Sequence, residues 1–228
     1  MNTSITSRFT DFILFGYFRS SCAWRCRIVL NYLDIPYENR SVHLVKEGGM
    51  HLKDEYKLIN PAQRVPTLQF KDNLNGGDII NLTESSAIIE FLIENFSSKK
   101  SLLPDDLILK AKTRAVYNHI SCNIQPLQNL VVINKVSEIG GDKMNWANYW
   151  INRGLENLEE LVKETKGIYC IKDEFTLADV YLIPQIFGAR RFKVDINKFP
   201  NLLEIEANLI KLDCVFKAAP ENQPDFEP

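Results

Sequence analysis

The sequence predicts an α/β domain followed by an all-α domain, and three observations carry that division. Up to about residue 96, apolar runs of strand length alternate with helical patterns, in the order strand, helix, strand and then strand, strand, helix. From Asp105 onward apolar residues recur at helical spacing with little strand signal. Between the two regions, Ser97-Ser98-Lys99-Lys100-Ser101 and Pro104 make a polar break of the kind that joins domains. A βαβ unit followed by a ββα unit is the order of a thioredoxin-like domain. The domains are accordingly placed at residues 10–96 and 105–220.

The first strand is Phe12-Ile13-Leu14-Phe15, a short run with the aromatic content of a buried strand. It leads into Phe18-Arg19-Ser20-Ser21-Cys22, after which Cys26, Val29 and Leu33, with Ile28 and Tyr32 beside them, recur at helical spacing. Ser20 or Ser21 is therefore the expected N-cap. A helix start leaves backbone N–H groups unpaired and carries a partial positive charge, so a thiolate, carboxylate or phosphate placed there is stabilised. Two readings stand at this point: the serines only cap the helix, or they also form an anion site. Residues 37–44 alternate as a half-buried strand does, and a right-handed crossover makes that strand parallel to the first. Residues 45–60, broken by Gly48-Gly49, read as a loop with a short irregular helix. Pro66 lacks an N–H and so suits the turn entering the next strand rather than a central ladder.

Residues 68–70 and 79–82 form the expected hairpin, joined by the turn-rich segment 71–78. Thr83-Glu84-Ser85-Ser86 then opens a helix with Ala87, Ile88, Phe91 and Leu92 on one face. In the second domain, long helical patterns cover about 105–136 and 143–166. Phe175-Thr176-Leu177-Ala178-Asp179-Val180 is a capping box with a hydrophobic staple, a structural motif without catalytic weight. Pro184 falls inside the helix that follows and should bend it.

The composition sets further bounds. A chain of 228 residues with 45% hydrophobic and 25% charged content buries a real core, and a net charge of −2 gives no general attraction to nucleic acid or an anionic membrane. No apolar run reaches the length that spans a bilayer. The five cysteines, Cys22, Cys26, Cys122, Cys170 and Cys214, are odd in number and scattered, which fits reduced thiols in a cytosol-like compartment. The first ten residues, rich in Ser and Thr with only Arg8 charged, read as a loose end rather than a targeting segment. Cys22 and Cys26 lie four apart and lack the spacing of a dithiol redox centre, and Cys26 is assigned to the core. His43, His51 and His119 have no ligand spacing to one another or to the cysteines, so no metal site is expected. Arg25 and Arg27 read as a solvated face, and Arg190-Arg191 as charges favouring a helix C-terminus.

Taken with the domain order, Ser20-Ser21-Cys22-Ala23-Trp24-Arg25-Cys26-Arg27 resembles the signature of the zeta class of cytosolic glutathione transferases, the class that includes maleylacetoacetate isomerases. Further matches run almost the whole chain: Gly48-Gly49, Asn60-Pro61, Val65-Pro66-Thr67-Leu68, Glu84-Ser85, Gln125-Pro126-Leu127-Gln128-Asn129-Leu130, Gly167-Ile168-Tyr169-Cys170 and Arg191-Phe192-Lys193-Val194-Asp195. The serine signature is fairly specific to the class; the Val-Pro-Thr and capping-box elements mark only the transferase fold.

The resemblance implies glutathione as cofactor and a reaction in which its thiolate adds to a cis double bond, allows rotation, and leaves. Maleylacetoacetate would become fumarylacetoacetate, a step of tyrosine and phenylalanine breakdown, and α-halo acids would suit the same site. It places Ser20, Ser21 and Cys22 at the glutathione sulfur, with Ser20 donating to the thiolate and Ala23, Trp24 and Arg25 continuing that wall. Val65 would pair with the cysteinyl unit across a cis Val65–Pro66 bond, Glu84 and Ser85 would take the γ-glutamyl end, and His51 would stand near the glycyl end. Gln125, Asn129, Leu130 and Val131 would be contributed by the helical domain, and Arg191 would face an acidic electrophile. It also implies a homodimer in the cytoplasm, with mitochondrial import left open. Three departures stand out: Cys26 in place of an aliphatic residue, His51 in place of a glutamine, and a longer 71–80 loop. The rival from another class is a non-catalytic binding or assembly module of the same fold, against which the intact Ser20-Ser21-Cys22 set argues.

Overall fold

The structure, a computed structural model, describes residues 8–96 and 101–227. The chain divides into two compact units, Met1–Lys100 with Asp213–Pro228, and Ser101–Leu212. Of the loose end expected over the first ten residues, 1–7 lie outside the described residues, as does most of the polar break, 97–100; Phe9 and Thr10 are not loose but pair with Asp72 and Lys71 in the sheet.

In the first unit β1 (Phe9–Gly16) leads into α1 (Ser21–Tyr32), followed by β2 (Glu38–Ser41) and a short α2 (Asp54–Lys57). Then come β3 (Thr67–Asp72), β4 (Asp78–Thr83) and α3 (Ser85–Phe96). The sheet order is β2-β1-β3-β4, with β2 parallel to β1 and the β1–β3 and β3–β4 pairs antiparallel. This is the βαβ then ββα arrangement that the order of apolar runs predicts. One face of the sheet buries an aromatic cluster: Phe70 stacks on Phe91 of α3 at 4.9 Å, and Phe9 meets both rings edge-on at 5.3 and 5.1 Å. On the other, Phe15, Val42 and Tyr56 form a core over which Ile13, Met50, Ile59 and Val65 close. Gly16 ends β1 where a Cβ would stand 3.1 Å from that of Ala23, so a larger residue there would press α1 off the strand.

The registers decide what the sheet gathers. Thr67 pairs with Phe15 on one side and with Thr83 on the other, so the end of β1, the start of β3 and the end of β4 share one edge of the sheet. The 71–80 segment is shorter as a loop than the sequence suggests. Its outer residues remain in register as Lys71↔Ile79 and Asp72↔Asp78, and only 73–77 make the turn, with Gly76 and Gly77 at φ 77° and 83°.

The second unit is helical: α4 (Leu107–Asn118), α5 (Leu130–Glu138), α6 (Lys143–Lys163), α7 (Leu177–Arg191) and α8 (Pro200–Leu209). The long pattern expected over 105–136 is broken by a π-helical turn at His119–Ile124 and a 3₁₀ turn at Gln125–Gln128. Pro126, lacking an N–H, ends the one, and the Asn129 side chain, accepting the Val131 N–H at 3.2 Å, starts α5 afresh. The capping box is built as the sequence suggests. The buried Asp179 carboxylate accepts the Thr176 N–H at 2.8 Å, the Thr176 hydroxyl at 3.0 Å and the Cys170 N–H at 2.9 Å. It thereby fastens the Gly167–Cys170 turn to α7.

The last helix, α9 (Asp213–Ala218), and the segment after it belong to the first unit, although the helical domain was expected to run to residue 220. A docked terminal helix carries the same amphipathic pattern as its neighbours in sequence, and only tertiary contacts separate them.

Candidate active site

Ser20 is the N-cap of α1. Its φ and ψ are −69° and 115°, its side-chain oxygen accepts the Ala23 N–H at 3.2 Å, and its carbonyl takes the Trp24 N–H at 2.9 Å. The N–H groups of Ser21 and Cys22, in the first turn, have no carbonyl one turn earlier to bond, and no acidic residue stands in that turn. Ser20, Ser21 and Cys22 are half-buried, so the helix start meets solvent through two hydroxyls and a thiol. The Arg25 guanidinium lies 3.8 Å from the Cys22 sulfur, adding positive charge to an end that is already electropositive.

Both arginines of the signature depart from the solvated face that the sequence suggests: Arg25 is 1% and Arg27 0% exposed. Arg27 donates to the carbonyls of Ala218 and Phe18 at 3.0 Å each and of Tyr17 at 3.5 Å. Burial lowers its pKa to about 10, which leaves it charged at neutral pH. A sequence cannot distinguish such an arginine from a surface one, because one of its three acceptors is a carbonyl 191 residues away.

Cys26 lies wholly inside, and its thiol points to the Ser85 carbonyl at 3.9 Å, bridging α1 and α3. Burial pushes that thiol well above the usual range, so it stays protonated at neutral pH.

The Val65–Pro66 peptide is cis. Val65 is half-buried against the Phe15, Val42 and Tyr56 core, and among the described residues neither its N–H nor its C=O makes a hydrogen bond. The loop that carries it is held from beneath. Tyr56 donates its hydroxyl to the Arg64 carbonyl at 2.8 Å and shares a hydrogen bond with the Thr67 hydroxyl at 2.9 Å. The buried Asn60 amide donates to the same two groups at 2.7 and 3.1 Å. A backbone donor and acceptor left open on a rigid loop suit an extended peptide laid alongside.

Glu84 sits at φ 65°, a left-handed conformation that costs a residue with a Cβ about 1–2 kcal/mol, and it turns the chain from β4 directly into α3. Ser85, buried, therefore opens α3 at the sheet edge shared with Ser20 and Val65, and its helix start is a second place for a carboxylate. His51, in a 3₁₀ turn, has a buried Nδ1 without a hydrogen-bond partner, and burial holds its pKa below the usual value, so it is neutral at pH 7.

Thus the first unit brings the turns of Ser20, Val65 and Ser85 to one sheet edge, and each presents open backbone or hydroxyl groups. Open groups at two helix starts, with an unpaired backbone segment at Val65 on the same edge, suit an anionic, peptide-like ligand.

The other expected residues lie in the second unit. Gln125 begins the 3₁₀ turn, the Asn129 side chain caps α5, Leu130 is half-buried and Val131 is exposed. Arg191 is exposed in the last turn of α7 with its guanidinium 5.7 Å from the Phe192 ring centroid, while Asn148 donates to the Phe192 carbonyl at 2.9 Å and steadies the turn beyond. Arg190 is committed to an ion pair with Glu206. Among the described residues no group of three His, Cys, Asp or Glu is arranged to hold a metal.

Residues 14–100 match the family model for the glutathione S-transferase N-terminal domain. A probable maleylacetoacetate isomerase 2 of Drosophila melanogaster is 41% identical, over 95% of this chain and 91% of its own length. The maleylacetoacetate isomerase of Mus musculus is 39% identical, over 93% of this chain and 94% of its own. The chain belongs to the maleylacetoacetate isomerase family of zeta-class glutathione transferases. Among solved structures, maleylacetoacetate isomerase from Anaeromyxobacter dehalogenans with glutathione bound in its active site superposes with a TM-score of 0.87 at 34% identity, covering 95% of this chain and 98% of that one. Maleyl pyruvate isomerase, a bacterial zeta-class glutathione S-transferase, gives 0.86 at 37%, covering 94% and 100%.

Burial sorts the thiols. Cys26 and Cys170 are wholly buried, Cys22 and Cys214 half-buried, and Cys122 exposed. Alkylation of the native protein at pH 8, mapped by mass spectrometry, should modify Cys122 and Cys22 while sparing Cys26 and Cys170 until denaturant is added. Labelling of Cys26 at the rate of Cys22 would mean that α1 does not seal against α3.

Proposed function

We propose that this protein is a glutathione-dependent cis–trans isomerase of a small dicarboxylic enone of the maleylacetoacetate type, yielding the fumaryl isomer in tyrosine and phenylalanine breakdown. The observation that carries the reading is Ser20, an N-cap hydroxyl over the open N–H groups of Ser21 and Cys22, on the same sheet edge as the unpaired Val65 backbone. Bound there, glutathione supplies a sulfur nucleophile that adds to the cis double bond and is later expelled, with no net oxidation or consumption of thiol.

The role of the chain is to make thiolate available. A thiol of ordinary pKa, about 8.5, is only a few per cent ionised at pH 7, and lowering it by about two makes thiolate the main form. Ser20 can donate its hydroxyl proton to an anion there, since its oxygen already accepts the Ala23 N–H. The helix start and the Arg25 guanidinium add fixed positive potential. Val65 holds the cysteinyl backbone, Ser85 and Glu84 the γ-glutamyl end, and His51, uncharged, offers its ring nitrogen to the glycyl end. Gln125, Asn129, Leu130 and Val131 are assigned supporting contacts, of which Asn129 is already engaged in capping. Arg191 receives a carboxylate of the electrophile. The same site suits α-halo acids, from which halide is the leaving group. With the reading go a homodimer and a reducing, cytoplasmic location, consistent with five cysteines that are all free.

Ser20 and Cys22 have separable roles, since a protein thiol used as nucleophile would need its own activating base. In an assay with maleylacetone, Ser20→Ala should lower kcat by about ten- to a thousandfold, the range for loss of one preorganised donor. Cys22→Ala should keep most of kcat with an altered KM. An inactive Cys22→Ala beside a near wild-type Ser20→Ala would place the nucleophile on the protein and end this account.

Arg191→Ala tests the substrate class. A hydrogen bond to a charged group is worth about 1.5–3 kcal/mol, so KM for the dicarboxylic substrate should rise by about ten- to a hundredfold, while an uncharged electrophile is little affected. Equal losses on both substrates would make Arg191 structural.

A further inference from the structure

The C-terminal segment grips the turn that carries Ser20. The Tyr17–Phe18 peptide is held on both edges: the Asp225 carboxylate accepts the Phe18 N–H at 3.0 Å, and on the other side the Tyr17 carbonyl takes the Ser20 N–H at 2.9 Å and Arg27 at 3.5 Å. Arg27 also holds the next carbonyl, that of Phe18, at 3.0 Å. A carboxylate and a buried guanidinium thus fix two successive peptides, and the second ends one residue before Ser20.

The segment is built to keep that carboxylate in place. The Gln223 amide donates to the carbonyls of Lys217 and Ala219 at 2.9 Å each and accepts from Asn39 at 3.1 Å. The Phe226 ring stands edge-on to Phe18 at 5.6 Å, and the Ser41 hydroxyl donates to the Asp225 oxygen already used by Phe18, at 2.8 Å. The other oxygen, Oδ1, is buried without a hydrogen-bond partner. If the segment served only to fasten the chain end, a neutral side chain would do so without leaving a desolvated charged oxygen. A retained charge makes sense near the buried Arg27 guanidinium, whose charged form Asp225 favours.

We propose that Asp225, acting with Arg27, is a positioning residue for the reaction: it fixes the Tyr17–Ser20 turn so that the Ser20 hydroxyl is aimed at the sulfur before substrate arrives. Asp225 touches neither sulfur nor electrophile and works through the Phe18 peptide. The inference rests on the reading of Ser20 as the thiolate's donor. Its consequence is selective, because slackening the turn misaims one donor and leaves the Val65 and Ser85 contacts to glutathione intact.

The test compares full-length wild type, Asp225→Ala and Asp225→Asn, each saturated with glutathione. The readouts are the thiolate absorbance against pH, kcat and the glutathione KM with maleylacetone, and the melting temperature. Asp225→Ala should raise the apparent pKa of the bound thiol and lower kcat by about three- to tenfold, the worth of one ordering hydrogen bond, with the glutathione KM within about twofold. Asp225→Asn, which keeps an acceptor for the Phe18 N–H but loses the charge beside Arg27, should recover part of the loss. Ser41→Ala, a milder change on the same oxygen, should move the titration in the same direction by less and serves if Asp225→Ala does not fold. A wild-type titration and kcat in Asp225→Ala, whatever happens to its melting temperature, would overturn the positioning role and leave the reading of Ser20 standing. Wild-type protein that binds glutathione without lowering its pKa would overturn both.

Discussion

The two registers of β3 are the constraint on which the candidate site depends. With Thr67 paired to Phe15 and to Thr83, the chain leaves β1, enters β3 and leaves β4 at one edge, and the three following or preceding turns carry Ser20, Val65 and Ser85. A slip of one residue in either pairing would invert which side chains face the aromatic cluster of Phe9, Phe70 and Phe91, so the register is enforced by the core rather than by the site. Function here is placed by packing that takes no part in it.

What the site adds is a concentration of groups that the fold leaves unpaired. Two helix starts, one open backbone segment at Val65 and one orphaned imidazole nitrogen at His51 are each a small debt in a folded protein. Those at Ser20, Val65 and Ser85 lie at one sheet edge, where they suit a peptide-like anion. The supporting groups are, by contrast, largely engaged: Asn60 and Tyr56 bond the Arg64 carbonyl and the Thr67 hydroxyl beneath Val65, and Arg27 bonds the carbonyls before Ser20. Satisfied polar groups behind and unsatisfied ones in front make a preorganised surface.

Much of this was legible in the sequence where the signal is local. A cap at Ser20 or Ser21, the parallel crossover to β2, the hairpin and the Thr176–Asp179 box are each written in one short continuous stretch of chain, and the structure has them all, with Ser20 as the cap. Signals that depend on distant partners were not. Arg25 and Arg27 look like a charged face until the carbonyl of Ala218 is brought to one of them. Residues 213–218 share the helical pattern of the domain before them, and the return of 213–227 to the first unit shows in contacts such as Asn31 to the Cys214 carbonyl and Phe18 to Asp225. The glycines and asparagines of the 71–80 stretch suggest a long loop, whereas tertiary pairing carries the ladder to Asp72 and Asp78.

The central claim is electrostatic: the cap, helix start and neighbouring guanidinium hold a bound thiol as its anion. The most direct measurement is an ultraviolet difference titration of glutathione bound to the wild-type protein, following thiolate absorbance from pH 5 to pH 10. The account predicts a midpoint below 7, about two below that of free glutathione, so that thiolate predominates under neutral conditions. A midpoint at the solution value, with glutathione demonstrably bound, would contradict it.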